Sequence, residues 1–288
     1  MRRRITVLTV GCKANFADSA AIAGEAAACG FDIVASGAPA DVIVVNSCAV
    51  TRRAERDSRA AVRRTRRENP GATVVLTGCF AQVSAGARDR FPEVDHWIAR
   101  GNGTALPALL RRISGFGGPS GTRPTQHTAD LLLGHRRTFL KIQDGCDFRC
   151  AYCIVPRARG ASRSVPEDEV VGWAVACEAD GAREIVLTGI HIGAYGADRG
   201  ERGGLGRLLA RLLGTTSRVR FRLSSLEPLE IDDALIDLIA GTERVCPHLH
   251  VPLQSGSDAV LARMRRPYRA RRYAAIVERA TSLIEGLQ

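Results

Sequence analysis

Lysine is almost missing from this chain. Of its 41 basic residues only Lys13 and Lys141 are lysines, and the rest are arginines. With its many alanines, this has the look of a GC-rich coding bias, so the preference for arginine says little by itself about phosphate recognition. The sign of the charge still counts. A net charge of +11 and a pI near 9.7 point to a polyanionic partner, of which nucleic acid is the commonest. One lysine directly follows Cys12 and the other lies five residues before Cys146. Also missing is any apolar run of the roughly 18 uncharged residues needed to span a bilayer, so no membrane partner is expected. The apolar N-terminal run ends at Lys13 with no small-residue cleavage site after it, which argues against a secretory signal and for a cytoplasmic protein. In a reducing compartment the nine cysteines speak for metal or redox chemistry more than for disulfides. No internal repeat occurs, and low complexity is confined to one stretch.

What remains is an ordinary globular composition, 45% hydrophobic over 288 residues, enough for two domains with cores. The first half alternates strand and helix. Strands are expected at 4–10, 41–46, 72–77 and 95–98, with helices near 15–29, 51–69 and 104–113. Near-continuous Val/Ile/Leu runs separated by helices imply an open, doubly wound parallel sheet. The Gly/Pro/Ser-rich segment SGFGGPSGTRPT reads as a linker, giving an N-terminal domain at 1–113, a linker at 114–137 and a second domain at 138–288. In the second domain strands at 138–143, 184–188, 219–224 and 247–251 alternate with helices at 167–180, 204–213, 232–240 and 269–285. That alternation suits a partial (β/α) barrel, whose sites lie at the carboxyl ends of its strands.

The most informative feature is the run KIQDGCDFRCAYCIVPRARG. Cys146, Cys150 and Cys153 form a C-x-x-x-C-x-x-C pattern that can hold three corners of a 4Fe–4S cubane and leave the fourth iron without a protein ligand. Structural zinc and cluster sites close all their positions, so an open corner suggests chemistry. Tyr152 can pack over such a cluster. The bland alternatives are an incomplete zinc knuckle and three core thiols, and the Gly/Arg-rich loop with no further Cys or His at ligand spacing disfavours both. A second set lies at matching strand ends: Cys12 after strand 4–10, Cys48 after 41–46 and Cys79 after 72–77. The carboxyl ends of parallel strands line one crevice, so these three thiols are expected to converge on a second metal site, whereas any one of them alone would pass for a core residue. Gly11 and Gly78 beside them permit close backbone approach. Cys29, Cys177 and Cys246 fall inside helix or strand patterns and read as core thiols.

The C-x-x-x-C-x-x-C run in its context resembles the radical S-adenosylmethionine (SAM) superfamily. The segments TVGCKANFADS, ADVIVVNSCAVTRRAERDSR and VVLTGCFAQ, followed by EIVLTGIHIGAYG, RLSSLEP and CPHLHVPLQSGSDAVLARMRRPY, extend that likeness across nearly the whole chain to the methylthiotransferases. KIQDGC and LTGIHIGAYG look most like the subfamily that acts on N6-threonylcarbamoyladenosine in tRNA, the MtaB type. The resemblance implies two 4Fe–4S clusters, one on Cys146, Cys150 and Cys153 and an auxiliary one on Cys12, Cys48 and Cys79. It implies SAM both as methyl donor and as radical source, with a 5′-deoxyadenosyl radical abstracting hydrogen from C2 of the adenine next to the anticodon so that a methylthio group is inserted there. It also implies tRNA, a reductant such as flavodoxin or ferredoxin and a sulfur donor as partners, in a monomer. The family continues beyond the point at which this chain stops with a further strand and usually a small RNA-binding β-barrel, so the second domain is expected to be truncated.

SAM needs polar anchors from successive strand ends. Gly189 can offer backbone to the methionine amino group. Ser225 and Glu227 suit ribose or amino contacts, Gln254 and Ser255 the adenine and ribose, and Arg159 and Arg163 the methionine carboxylate or a substrate phosphate. Glu227 can equally cap the turn after Pro228, and Gln254 a loop. His191, His248 and His250 read as satisfied polar groups rather than ligands. The eight arginines of helix 51–69 offer a phosphate-contact strip, or simply a solvated face. Beside the threonylcarbamoyladenosine reading stand methylthiotransferases of isopentenyladenosine or of a ribosomal protein, a two-cluster electron-transfer protein that would not respond to SAM, and a basic RNA-binding module with structural zinc.

Overall fold

Three runs of Val, Ile and Leu make the framework of the first half, because strands buried on both faces need apolar side chains at every position. The computed structural model describes residues 2–100, 104–115 and 125–288. Within them the chain forms two compact units, one of residues 1–138 together with Arg157–Arg159, the other of the remainder.

The first unit runs β1 (Arg4–Thr9), α1 (Lys13–Ala28), β2 (Asp32–Ile33), β3 (Val42–Ser47), α2 (Arg52–Glu68), β4 (Thr73–Gly78), α3 (Cys79–Val83), β5 (His96–Trp97), α4 (Ala105–Ser114) and α5 (Gln126–Leu132). Its five strands are all parallel in the order β2-β1-β3-β4-β5. Successive side chains of each strand point to opposite faces. Val42 and Val44 meet α1, α4 and α5 through Ala20, Ala23, Leu110 and Ala129, while Val45 meets α2 and α3 through Val62 and Phe80. The sheet is therefore covered on both sides, as the alternation of strands and helices implies. The register is level: Thr9 pairs with Asn46, Asn46 with Thr77, and Ser47 with Gly78. Part of the expected linker, 116–124, lies outside the described residues. Beyond it the chain departs from expectation, because Thr125 caps α5, which packs on α1 and belongs to the first unit.

The second unit contains β6 (Thr138–Lys141), β7 (Gln143–Asp144), α6 (Val155–Arg159, its last three residues counted with the first unit), β8 (Arg163–Ser164), α7 (Glu167–Ala179), β9 (Glu184–Thr188), α8 (Gly204–Thr215), β10 (Arg220–Leu223), α9 (Asp233–Ala240), α10 (Asp258–Arg263) and α11 (Ala270–Leu283). A three-stranded sheet has the order β10-β9-β6, with β9 and β10 parallel. Its core joins Ile185, Leu187 and Phe221 to Leu208 and Leu212 of α8, Ile236 of α9 and Ile276 of α11. The strand expected at 247–251 does not form. Pro247 and Pro252 lack the N–H a ladder needs; the segment keeps one isolated bridge, Ser225 with His250, and is otherwise tied by bonds such as that from the Leu249 amide to Gln288 O. Among the described residues no helix is long and apolar enough to cross a membrane.

One glycine shows how tightly the strand ends are built. Gly78 has φ +95, and a Cβ there would lie 2.4 Å from Ser47 O and 2.5 Å from Ser47 N, rigid backbone that cannot move aside. Gly37, at φ +90, has open space around it. Gly78→Ala is expected to destabilise the protein by at least about 3 kcal/mol, and Gly37→Ala by only about 1 kcal/mol, in guanidinium unfolding. Equal losses at the two positions would contradict this packing.

Candidate functional site

The level ends of β1, β3 and β4 put Cys12, Cys48 and Cys79 at the same edge of the first unit's sheet. Gly11 approaches Cys48 so closely that a Cβ on it would lie 2.7 Å from the Cys48 Sγ, a contact that only glycine allows. Cys48 and Cys79 are buried and Cys12 is exposed. A shell of buried polar side chains lies under them. Asn15 Nδ2 donates to Val10 O at 2.7 Å and Ser47 O at 3.1 Å, the carbonyls just before the Gly11–Cys12 turn and Cys48. Asn46 Nδ2 donates to Asn15 O and Ser19 Oγ, both at 2.9 Å. Ser58 Oγ accepts from the Cys48 amide and donates to its carbonyl, both at 2.9 Å. This network, in which only the buried Asn46 Oδ1 lacks a partner among the side chains just named, fixes the loops from below.

The electrostatics around this set are mixed. Burial pushes the Cys48 thiol up, with Cys12 and Cys79 adding to the effect through their own charge, a sign that the three lie together. Burial also pushes Cys79 up, opposed by the Arg159 and Arg100 guanidiniums. Arg159 departs from its expected place: it lies in the first unit, buried against Asn15 Oδ1 at 2.5 Å and Asp18 Oδ2 at 3.0 Å. Both of these bonds are made by its Nη2. Nothing in the local sequence could have found this, since its partners are distant in sequence.

In the second unit the loop with Cys146, Cys150 and Cys153 is closed at its base by the antiparallel pair β7 and β8. The Cys146 amide donates to Gly160 O at 3.1 Å, the Cys153 amide to Cys150 O at 3.1 Å, and the Ala151 amide to Met264 O at 3.0 Å. Gln143, fully buried, is the tie beneath it. Its Nε2 donates to Asp144 O, Gly145 O and Ser162 Oγ at 2.8–3.0 Å. Its Oε1 accepts from the amides of Ile190 at 3.1 Å and His191 at 2.8 Å. Two side chains address the sulfurs. Arg266 Nη1 donates to Cys150 Sγ at 3.2 Å and His191 Nδ1 lies 3.7 Å from Cys146 Sγ. His191 also pairs with Glu230 and stacks on Phe148, ring centroids 4.5 Å apart. Burial works to lower its pKa, but the hydrogen bonds to Cys146 and Glu230 outweigh that and push it up to about 9. Burial raises the Cys153 thiol.

The expected SAM anchors sit on the turns after β9 and β10 and beyond. Gly189 packs edge-on against Gln143, where a Cβ would lie 2.7 Å from Gln143 O. Ser225 Oγ and His250 Nδ1 are 2.6 Å apart. Glu227 caps the turn at Pro228–Glu230 through a reciprocal capping box and also pairs with Arg266. Arg266 thus joins Cys150 to Glu227, a link hidden in the sequence within a run of arginines. Gln254 adopts a left-handed backbone at φ 62, and Ser255 Oγ accepts from the Ser257 amide at 3.1 Å. Tyr268 donates to Leu253 O at 2.7 Å and lies 5.1 Å from the Arg266 guanidinium, tying the 252–255 turn to the same cluster of groups. Arg163, on β8, is exposed, and Tyr152 is half-exposed. Cys29, Cys177 and Cys246 are buried, the first two within the two hydrophobic cores.

Among the described residues no group of three His, Cys, Asp or Glu side chains is arranged to hold a single metal ion. Each thiolate of a cubane binds a different iron, so its three sulfurs stand farther apart than the ligands of one ion. Both sets offer the three thiols that such a cluster takes as ligands. In the second unit Arg266 also donates to a cysteine sulfur, a contact that suits an anionic cluster.

Comparisons with known proteins agree on the chain's relationships. The radical SAM superfamily profile matches residues 140–286, and that of uncharacterized protein family UPF0004 matches residues 4–99. The chain is 35% identical to the threonylcarbamoyladenosine tRNA methylthiotransferase MtaB of Rickettsia prowazekii over 91% of its own length and 62% of the relative's. It is 34% identical to the Aquifex aeolicus MtaB, over 95% and 68%. It is also 35% identical to the tRNA-2-methylthio-N(6)-dimethylallyladenosine synthase of a Parafrankia species, over 96% and 58%. The chain thus spans about three-fifths of the length of the first of these curated relatives. In fold it resembles the radical SAM methyltransferase TsrM of Kitasatospora setae, solved with tryptophan and a SAM analogue, with a TM-score of 0.64 at 14% identity over 98% of this chain and 66% of that one.

Gln143→Leu would strand the amides of Ile190 and His191 in a buried setting. The substitution is expected to destabilise the protein by on the order of 3 kcal/mol and to speed alkylation of Cys146 in the metal-free protein. Unchanged stability and thiol reactivity would contradict the role given to Gln143.

Proposed function

The chain belongs to the radical SAM superfamily and, within it, to the methylthiotransferases, and from that premise we propose that it inserts a methylthio group at C2 of N6-threonylcarbamoyladenosine beside the anticodon of tRNA. The observation that carries the reading is the pair of three-cysteine sets, one in each unit, the second with the Arg266 guanidinium on a sulfur. When bound, a 4Fe–4S cluster on Cys146, Cys150 and Cys153 supplies the electron that cleaves SAM, and one on Cys12, Cys48 and Cys79 holds the sulfur to be transferred.

The residues around the first set have separable tasks in this reading. Arg266 and His191 donate to the sulfurs of Cys150 and Cys146 and offset their negative charge. Gln143 fixes the cysteine loop to the Gly189 turn. Glu227, held by Arg266, and Ser225, held by His250, present oxygen to the amino group and ribose hydroxyls of SAM. Gln254 and Ser255 border its adenine, and Arg163 is free to meet a phosphate or carboxylate. The sheet β10-β9-β6 with its flanking helices is an arc of an incomplete (β/α) barrel. Electrons come from a flavodoxin or ferredoxin, and the protein works in the cytoplasm as a monomer.

A second substrate has specific support. Relatives named for dimethylallyladenosine are as similar to this chain as those named for threonylcarbamoyladenosine, 36% and 35% identical for two of them. Nucleoside mass spectrometry of tRNA from cells lacking any such enzyme separates the two. Expression of the chain is expected to yield 2-methylthio-N6-threonylcarbamoyladenosine. Appearance of only the methylthio-dimethylallyl product would move the assignment to the other nucleoside.

Near Cys150 the stretch from α10 into α11 carries Arg263, Arg265, Arg269, Arg271 and Arg272, all exposed and, among the described residues, in no salt bridge. Arg269 and Arg272 line a cavity of about 960 Å³ with Leu229, Arg266 and Tyr268. An aromatic beside unpaired arginines suits a nucleotide and its phosphates. Replacing Arg269, Arg271 and Arg272 together by Gln is expected to weaken tRNA binding and to lower the slope of log affinity against log salt by about 2 to 3. An unchanged slope would place the phosphate contacts elsewhere.

A further inference from the structure

Arg266 is nearly sealed from solvent, its side chain only 3% exposed. Burying a guanidinium is costly unless its charge is used or balanced. Among the described residues one carboxylate, that of Glu227, pairs with it, through Nη2. The other terminal nitrogen, Nη1, donates to Cys150 Sγ at 3.2 Å. It is thus the cation that bonds the sulfur, and Glu227 is joined to Cys150 through it. A second donor ends on the same turn. His191 Nδ1 lies 3.7 Å from Cys146 Sγ and its ring pairs with Glu230, the capping-box partner of Glu227. Both donors to the cysteine sulfurs are therefore held from the Glu227–Glu230 turn. Of the two, Arg266 keeps its charge at any working pH.

Resting on the reading that Cys146, Cys150 and Cys153 carry a 4Fe–4S cluster, we propose that Arg266 is the positioning residue that sets the reduction equilibrium of that cluster, with Glu227 as its counterweight. A cluster on three thiolates is anionic, and one-electron reduction adds a further negative charge. A cation bonded to a ligand sulfur stabilises the reduced form, and a buried anion nearby opposes it. Arg266 and Glu227 therefore act with opposite sign. A strap that only fastened the cysteine loop to the turn at Glu227 would give the same result whichever of its two ends is removed.

The test uses the full chain with Cys12, Cys48 and Cys79 replaced by Ala, so that only this cluster forms, and omits SAM, so that the place given to Glu227 beside SAM does not enter. After anaerobic reconstitution, iron and sulfide are assayed and the cluster is titrated in the presence of redox mediators under EPR. Arg266→Gln is expected to keep its iron and to shift the reduction equilibrium about tenfold toward the oxidised form, 59 mV for one electron. Glu227→Gln is expected to shift it in the opposite direction, and Arg266→Lys, which keeps the charge, to stay within about threefold of the parent. If Arg266→Gln fails to hold iron, Glu227→Gln decides: a shift toward the reduced form supports the proposal and no shift overturns it. Shifts of the same sign in Arg266→Gln and Glu227→Gln, none in either, or equal shifts in Arg266→Gln and Arg266→Lys also overturn it. A parent that binds iron but whose variants titrate alike loses this proposal alone, whereas a parent that binds no iron overturns the cluster assignment as well.

Discussion

Three neighbouring parallel strands that end level with one another are the constraint on which the first unit's chemistry depends. Because Thr9, Asn46 and Thr77 lie in one row of the sheet, the residues that follow emerge side by side, and a cysteine a short step past each end reaches a common place. A slip of one residue would turn a strand's side chains to the opposite face. The register is locked where it matters by Asn15, Asn46, Ser47 and Ser58, polar side chains buried in an otherwise apolar layer. Their hydrogen bonds run to the backbone of the strand ends, so sheet packing and ligand placement are one problem with one solution.

The second unit solves the same problem by a different route. Its three thiols come from a single loop, whose own spacing does what strand register does in the first. The loop needs an anchor, and Gln143 supplies it by satisfying five polar groups from one buried side chain. Arg266 then extends the arrangement outward, from Cys150 to Glu227 and, by stacking, to Tyr268. Here a thiol thus meets a guanidinium that is itself held by a carboxylate.

Much of this was legible in the sequence. Long Val/Ile/Leu runs marked β1, β3 and β4, the C-x-x-x-C-x-x-C spacing marked one thiol set, and the position of a cysteine after each strand marked the other. What escaped has physical reasons. The segment 247–251 is apolar enough for a strand, but its bounding prolines remove the donors. Helix α5 follows a Gly/Pro-rich stretch, and its docking on α1 is a tertiary event with no local signal. Arg159 looked like a partner for substrate because it follows the cysteine loop, yet Asn15 and Asp18, which hold it, lie 144 and 141 residues away. Arg266 was masked by the chain's general excess of arginine. Long-range hydrogen bonds, rather than elements, are what the sequence concealed.

The central claim is that two separate three-thiolate sets each carry a four-iron cluster. Mössbauer spectroscopy with iron and sulfide analysis of the anaerobically reconstituted chain tests it most directly, compared with the chain lacking Cys12, Cys48 and Cys79 and with the chain lacking Cys146, Cys150 and Cys153. The account predicts roughly eight irons in the parent and roughly four in either variant, with SAM perturbing only the spectrum of the cluster on Cys146, Cys150 and Cys153. Roughly four irons in the parent, all lost with one set and unaffected by loss of the other, would contradict it.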